Sequence, residues 1–310
     1  MDIFNEKTIR PMLVKDMADP FNSPDYIYEL KLDGIRCLAY LDETSTDIRN
    51  KRNDLMLPGF PELSDLNAYV KGKCILDGEL IVIKKGVPDF FEVQRRSLLS
   101  DRFKICLASS QYPASFVAYD ILYINNKLIT DLPLMSRKKL LEETVNENIK
   151  LAVSSYVPER GIELFNLAKQ QSLEGVIAKV KDSKYYPEKK TKEWVKFKFL
   201  AVKDFVVCGY IKKDKVLTSL VLGRYRGNDL LYKGHVSIGA GADLAEEYHC
   251  KKREQSPFHL TPSGNEEAVW LEPTLVCAVQ FMPSEKGMLR QPVFKGIRYN
   301  KNPLECQESS

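Results

Sequence analysis

The 310-residue chain is 44% hydrophobic and 28% charged with a net charge of +4, which excludes a largely disordered, collagen-like or low-complexity polypeptide. Its length is about twice that of an ordinary domain, so two domains with sizeable cores are expected. No apolar run approaches the roughly 18 residues of a spanning helix, and residues 1–10 lack the layout of a signal peptide, so a cytoplasmic protein without membrane association is expected.

In chain order, strand-like apolar runs at 26–30, 35–41, 74–83, 115–124 and 175–180 alternate with helix-like runs at 61–70, 90–99, 136–148 and 161–171. The pattern changes near Leu200. Beyond it come strand candidates at 204–211, 216–225 and 230–238, separated by a Lys-Lys-Asp-Lys and an Arg-Gly-Asn-Asp turn, then a helical stretch at 242–253 and strands at 269–281 and 293–297. Five strands and one helix are the inventory of a small Greek-key barrel of the OB type. The fold class predicted is α+β, with one domain over 1–200 and a barrel over 201–310.

Seven cysteines with no CxxC pair and three scattered histidines fit neither a disulfide frame nor a zinc site, so any metal chemistry falls to carboxylates. Charge is concentrated in one place. Between Lys179 and Lys203 nine lysines face three acids, a local +6, interleaved with Tyr185, Tyr186 and Trp194. Such a strip can neutralise phosphates and offer ring faces to nucleic acid, although a solvated lysine loop has the same composition.

Glu29-Leu30-Lys31-Leu32-Asp33-Gly34-Ile35-Arg36 sets a lysine at the exit of an apolar strand, ahead of an Asp-Gly turn and an arginine. A lysine becomes nucleophilic when neighbouring cations or desolvation lower its proton affinity. Leu76-Asp77-Gly78-Glu79-Leu80 and Glu174-Gly175-Val176-Ile177-Ala178-Lys179 each bring a glutamate to a strand terminus, and two carboxylates plus nucleotide phosphate satisfy magnesium. Tyr119, in Tyr119-Asp120-Ile121-Leu122-Tyr123, can stack on a purine. Alternation in Trp194-Val195-Lys196-Phe197-Lys198 points Lys196 and Lys198 to one face, where two ammonium groups can grip a triphosphate. Taken singly, each segment also fits an exposed strand end or core packing.

In this order and spacing the segments resemble the nucleotidyltransferase motifs of ATP-dependent DNA ligases over nearly the whole chain. The resemblance is closest to the ligase module of bacterial end-joining ligases of the ligase D type. It includes Pro11-Met12-Leu13, Pro61-Glu62-Leu63 and the tail Arg290-Gln291-Pro292-Val293-Phe294-Lys295-Gly296-Ile297-Arg298. It implies that Lys31 carries AMP, that Glu29 lies against adenine and Tyr119 stacks on it, and that Arg36 and Arg49 meet ribose or the 5′-phosphate at a nick. Glu79 and Glu174 would serve ribose and a Mg²⁺ or Mn²⁺ ion, while Lys179, Lys196 and Lys198 would hold phosphates. Lys190 and Lys192 would meet DNA, and Arg298 and Lys301 would act on ATP. Two positions depart from the family pattern: Asn300 replaces a carboxylate, and Lys190 stands where arginine is common.

The implied activity is ATP-dependent sealing of nicked or broken duplex DNA in repair or end joining, by a monomer on the bacterial nucleoid, with a Ku-type end-binding protein as a partner. A GTP-dependent mRNA capping guanylyltransferase shares the Lys-x-Asp-Gly lysine, and a non-catalytic nucleic-acid-binding protein is the rival from another class. ATP is preferred over NAD because 30 residues precede Lys31 and no four-cysteine module follows.

Overall fold

A computed structural model describes residues 2–213, 217–238, 250–283 and 289–308. The chain divides into two compact units, Met1–Lys198 and Phe199–Ser310.

In the first unit a short helix α1 (Ile3–Glu6) leads to β1 (Leu13–Met17), β2 (Tyr26–Leu30), β3 (Ile35–Leu41), β4 (Thr46–Asn50), β5 (Cys74–Lys84) and β6 (Val87–Pro88). Helices α2 (Phe90–Ser97) and α3 (Arg102–Gln111) follow, then β7 (Ala114–Ile124), β8 (Lys127–Leu128) and α4 (Leu134–Thr144). The unit ends with β9 (Leu151–Val153), β10 (Tyr156–Pro158), α5 (Gly161–Gln170), β11 (Gly175–Val180) and β12 (Lys190–Lys198). These strands form two sheets, one in the order β1-β12-β11-β2-β10 and one in the order β4-β3-β5-β7-β8, with β6 on β5 and β9 on β7.

Alternating side chains divide the packing. One face of the second sheet buries Cys37, Leu76, Leu80, Phe116 and Ala118 with Phe60, Leu63, Leu66, Val93 and Leu141 from the connecting turns and helices. Its other face meets the first sheet, where Leu38, Tyr40, Ile75 and Leu122 cluster with Met12, Tyr185 and Trp194. Tyr119, Ile177 and Trp194, from the segments singled out in the sequence, fall on this inter-sheet side. On the outer side of the first sheet Phe165 of α5 meets Phe197, which also touches Phe21 and Tyr28.

The expected helix over 61–70 is instead a pair of 3₁₀ turns, Pro61–Leu63 and Leu66–Tyr69. Phe60, Leu63, Leu66 and Tyr69 recur every three residues, the period of a 3₁₀ turn, and the first three are fully buried. Asp89 and Asp101 cap α2 and α3 by accepting from the backbone N–H groups of Glu92 and Lys104. Helix α3 lacks a clear apolar stripe in the sequence because Phe103 and Leu107 are exposed and it buries Ile105 and Ala108 alone.

The second unit contains β13 (Ala201–Lys213), β14 (Leu217–Arg226), β15 (Asp229–Ile238), β16 (Lys252–Arg253), β17 (Val269–Met282) and β18 (Arg290–Ile297). Their order is β15-β14-β13-β17-β16 with β18 also on β17, all antiparallel. Bulges at 207–209 and 222–223 bend the long strands, and β15 approaches β18, so the sheet curls toward a barrel. The helix expected over 242–253 lies outside the described residues as far as 249, and its last two residues form β16. The Lys-Lys-Asp-Lys turn likewise runs into residues outside those described.

Candidate active site

Strand β2 ends at Leu30, and the N–H of Lys31 donates to the carbonyl of Gly175 at 2.9 Å, which brings the start of β11 beside the lysine. Lys31 Nζ then lies 2.7 Å from Glu174 Oε2, and Lys198 Nζ lies 3.1 Å from Oε1 of the same carboxylate. Burial lowers the Lys198 proton affinity, partly offset by Glu174, with Lys31 and Lys196 lowering it further. Lys196 lies two residues earlier on β12 and has no ion pair among the described residues.

Asp33 and Gly34 turn the chain into β3. A Cβ on Gly34 would stand 2.3 Å from the Leu80 carbonyl oxygen and 2.9 Å from Glu79 Cγ, so the turn lies hard against β5. Glu79 sits opposite Arg36 in the β3–β5 ladder and has no hydrogen-bond or ionic partner among the described residues. Desolvation pushes its carboxyl up to about 8, with Lys31 and Arg36 opposing and the charges of Glu174 and Asp77 adding to the rise. A half-buried, unpartnered carboxylate beside a second one is the arrangement that a cation relieves. No group of three potential ligands exists among the described residues, so Glu79 and Glu174 fit Mg²⁺ or Mn²⁺ only as a two-carboxylate site completed by phosphate and water.

Two residues before Lys31, Glu29, 2% exposed, forms ion pairs with Lys138 Nζ at 2.7 Å and Lys179 Nζ at 2.9 Å, neither of them aligned as a hydrogen bond on Oε1. The two ammonium groups hold its carboxyl below the ordinary glutamate range despite strong desolvation. Lys179 also lies 4.6 Å from the Tyr119 ring centroid and 4.2 Å from that of Trp194, and burial lowers it to about 8. Tyr119 is partly exposed and meets Trp194 edge-on. Lys179 thus belongs with Glu29 and Lys138 and is separate from the Lys31–Glu174–Lys198 group.

Arg36 is fully engaged. It donates to both Asp77 oxygens at 3.0 and 2.6 Å, to the Met12 carbonyl at 2.6 Å and to the Tyr185 hydroxyl at 3.3 Å, while that hydroxyl donates to Asp77 at 2.7 Å. Arg49, on β4, is spent on Asp47 and the Asn53 carbonyl and is not brought to the Lys31 group. Lys190 and Lys192 are exposed on β12. One expectation for the basic strip is corrected: Tyr185 and Trp194 are each 2% exposed, inside the core beneath Arg36, and do not offer their rings to nucleic acid.

In the second unit Arg298 Nε and Lys301 Nζ lie 3.5 and 3.7 Å from the Asp204 carboxylate, which therefore stands between the two cations of the motif that carries Asn300. Asp77, Lys138 and Asp204 were not singled out by sequence. Asp77 had a signal, an acid inside an apolar strand; Lys138 had none within Arg137-Lys138-Lys139, because only α4's placement buries it.

The ATP dependent DNA ligase domain family matches residues 11–198, and the ATP dependent DNA ligase C terminal region matches residues 213–301. The chain is 29% identical over 292 residues to the SPbeta prophage-derived DNA ligase-like protein LigB of Bacillus subtilis, covering 94% of this chain and 99% of that one. It is 27% identical over 317 residues to the multifunctional non-homologous end joining DNA repair protein LigD of Mycobacterium tuberculosis, covering 98% of this chain but only 40% of that protein's length. A solved structure of mycobacterial DNA ligase D complexed with ATP and MES matches with a TM-score of 0.57 and 26% identity over the full length of both chains. No helix among the described residues is long and apolar enough to cross a membrane. With family matches over both units, the chain belongs to the ATP-dependent DNA ligases, enzymes that use ATP to join DNA.

Proposed function

We propose that residues 1–200 are the adenylation domain, that residues 201–310 are an OB-fold domain completing it, and that Lys31 carries AMP between ATP and a nicked or broken duplex. The observation that carries this reading is the shared carboxylate: Lys31 and Lys198 meet on Glu174, with Glu79 unpartnered beside them.

In the first step the neutral Lys31 amine attacks the α-phosphorus, a nitrogen–phosphorus bond forms, and the bond to pyrophosphate breaks. Glu174 is placed to accept the amine's proton, and Lys196 and Lys198 offset charge on the phosphate oxygens. In the second step the 5′-phosphate displaces the lysine from phosphorus. In the third the 3′-hydroxyl displaces AMP and closes the strand. Mg²⁺ or Mn²⁺ on Glu79 and Glu174 would neutralise charge at the reacting phosphate.

Tyr119 stacks on the purine. Glu29 and Lys179 meet its edge, a reassignment of Lys179 from phosphate to base that its contact with Glu29 supports. Arg298 and Lys301 act on ATP, and Lys190 and Lys192 take the DNA backbone. Arg36 and Arg49 reach ribose or a 5′-phosphate only by releasing Asp77 and Asp47.

The likeness to LigD of Mycobacterium tuberculosis, a multifunctional non-homologous end joining DNA repair protein, supports a role in repair by end joining. We assign the chain accordingly to nicked or broken duplex DNA on the bacterial nucleoid, as a monomer with a Ku-type partner. Membership of the ligase family sets aside the capping and non-catalytic readings. The test is incubation with magnesium and α-labelled ATP or GTP. Label bound to protein from ATP, absent in Lys31→Ala and released as AMP by nicked DNA, is expected; label from GTP alone would overturn the assignment.

A further inference from the structure

Glu29 is the acid that the nucleotide site proposed above gives to the base, and it is buried between two ammonium groups. Both ammonium groups, Lys138 and Lys179, make their closest approach at Oε1, at ion-pair distance but without hydrogen-bond alignment, so the carboxylate keeps accepting capacity. The two lysines differ in what else they touch. Lys179 lies against the rings of Tyr119 and Trp194, and Tyr119 is the ring that the nucleotide site proposed above stacks on the purine. Lys138 reaches in from α4, is 1% exposed, and otherwise contacts the Ser154 carbonyl at 3.5 Å and the Tyr156 ring at 5.8 Å. Glu29 is its single carboxylate partner among the described residues, whereas Asp120, also near Lys179, is taken by Arg137 at 2.8 and 2.9 Å.

We propose that Lys138 is a positioning residue for purine selection: its ion pair holds Glu29 as an ionised, acceptor-only group whose carboxylate receives the exocyclic amine of adenine. This rests on the nucleotide site proposed above and adds to it a residue that never touches the nucleotide. An ionised carboxylate accepts from the 6-amino group of adenine and repels the 6-oxo group of guanine. A protonated carboxyl can donate as well, so it accepts either base. Selection therefore requires that Glu29 stay charged in a site where burial alone would neutralise it. Lys179 cannot guarantee this, because its own burial lowers its proton affinity and the incoming base competes for it. Lys138, away from the base, can. The groups facing the Glu29 carboxylate are Lys138 of α4, Lys179 of β11, Tyr156 of β10 and Tyr119 of β7, with the Asp120–Arg137 pair behind them.

The experiment measures protein–nucleotide formation from α-labelled ATP and GTP from about pH 5 to about pH 8 in the full chain, Lys138→Met and Lys138→Arg. In Lys138→Met the ATP-over-GTP ratio of kcat/KM falls about tenfold or more, chiefly through KM for ATP. The acid limb of the ATP profile moves to higher pH, because Glu29 loses the charge that holds its proton affinity down. Lys138→Arg restores both. An unchanged ratio and pH profile in Lys138→Met overturns the proposal, whatever happens to its rate or melting temperature. Should that variant not fold, Glu29→Gln takes its place: the ratio falls and the acid limb disappears, and retention of the wild-type ratio overturns the proposal. Absence of label from both nucleotides in the wild type overturns the nucleotide-site reading with it, whereas label with an unchanged ratio overturns Lys138 alone.

Discussion

Lys31 and Glu174 stand 143 residues apart in sequence, yet their side chains meet at 2.7 Å because the β2–β11 ladder ends where the Lys31 N–H reaches the Gly175 carbonyl. The pair places the amine and a proton acceptor side by side. Lys31→Ala therefore abolishes protein–AMP formation, and Lys31→Arg does so too, since guanidinium keeps the ion pair but not the nucleophile. A duplex carrying a pre-adenylated 5′-end bypasses the step that needs the amine. Gel analysis of that substrate with Lys31→Ala is expected to show sealing; failure to seal would assign Lys31 a role after adenylation.

Glu79 gives the metal-free protein a pH dependence of definite sign. Its carboxyl titrates near 4.5 when unperturbed and near 8 in the fold, so between these values the folded state binds more protons than the unfolded state. Stability from this group is fully present below about 4.5 and is lost as pH rises through about 8. In chelator, the melting temperature of the wild type falls more steeply over that window than the melting temperature of Glu79→Gln. Added magnesium restores the wild type and leaves Glu79→Gln little changed. Equal slopes in the two proteins would remove Glu79 from the site.

How much of this was legible in sequence depended on length and period. The runs that became β2, β3, β5, β7 and β11 were readable because each is at least five residues long and buries apolar side chains along its length. Strands β1, β4, β9 and β10 were not, being three to five residues long and largely half-buried or exposed. The residues from Phe60 to Tyr69 carry apolar groups at a spacing of three, which a helical reading with period 3.6 absorbs too easily. At the site, the motif lysines and glutamates announced themselves by spacing. Their partners did not: that Arg36 is spent on Asp77, that Tyr185 and Trp194 point inward, and that Lys138 meets Glu29 all depend on two sheets facing each other.

Asp120 and Arg137 are fully buried, and Arg137 also donates to the carbonyls of Leu132 and Ser183. Removing one partner leaves an uncompensated charge in the core. Arg137→Met is expected to cost about 3–5 kcal/mol in urea unfolding, while the Asp120→Leu/Arg137→Met double variant recovers much of that loss. A double variant no more stable than the single would mean that the carbonyl contacts, and not the ion pair, carry the effect.

Gly34 fixes the distance between the Lys31 turn and Glu79. Its missing Cβ would stand 2.3 Å from the Leu80 carbonyl oxygen, 2.9 Å from Glu79 Cγ and 2.9 Å from Ile81 Cγ2. The nearest of these is backbone in the middle of the β5 ladder, so the turn, three residues from the nucleophile, has to move away from β5. Displacement of a reacting group by about 1 Å costs about a hundredfold in rate. Gly34→Ala is accordingly expected to slow protein–AMP formation by about that factor. Gly86→Ala is the control: its φ of +84° is strained for alanine, but no atom lies within 4 Å of the added Cβ. It should lower stability by about 1 kcal/mol without slowing adenylation. If Gly34→Ala loses stability while its adenylation rate matches Gly86→Ala, the close approach to β5 serves folding alone, and the alignment of Lys31 with Glu79 is set elsewhere.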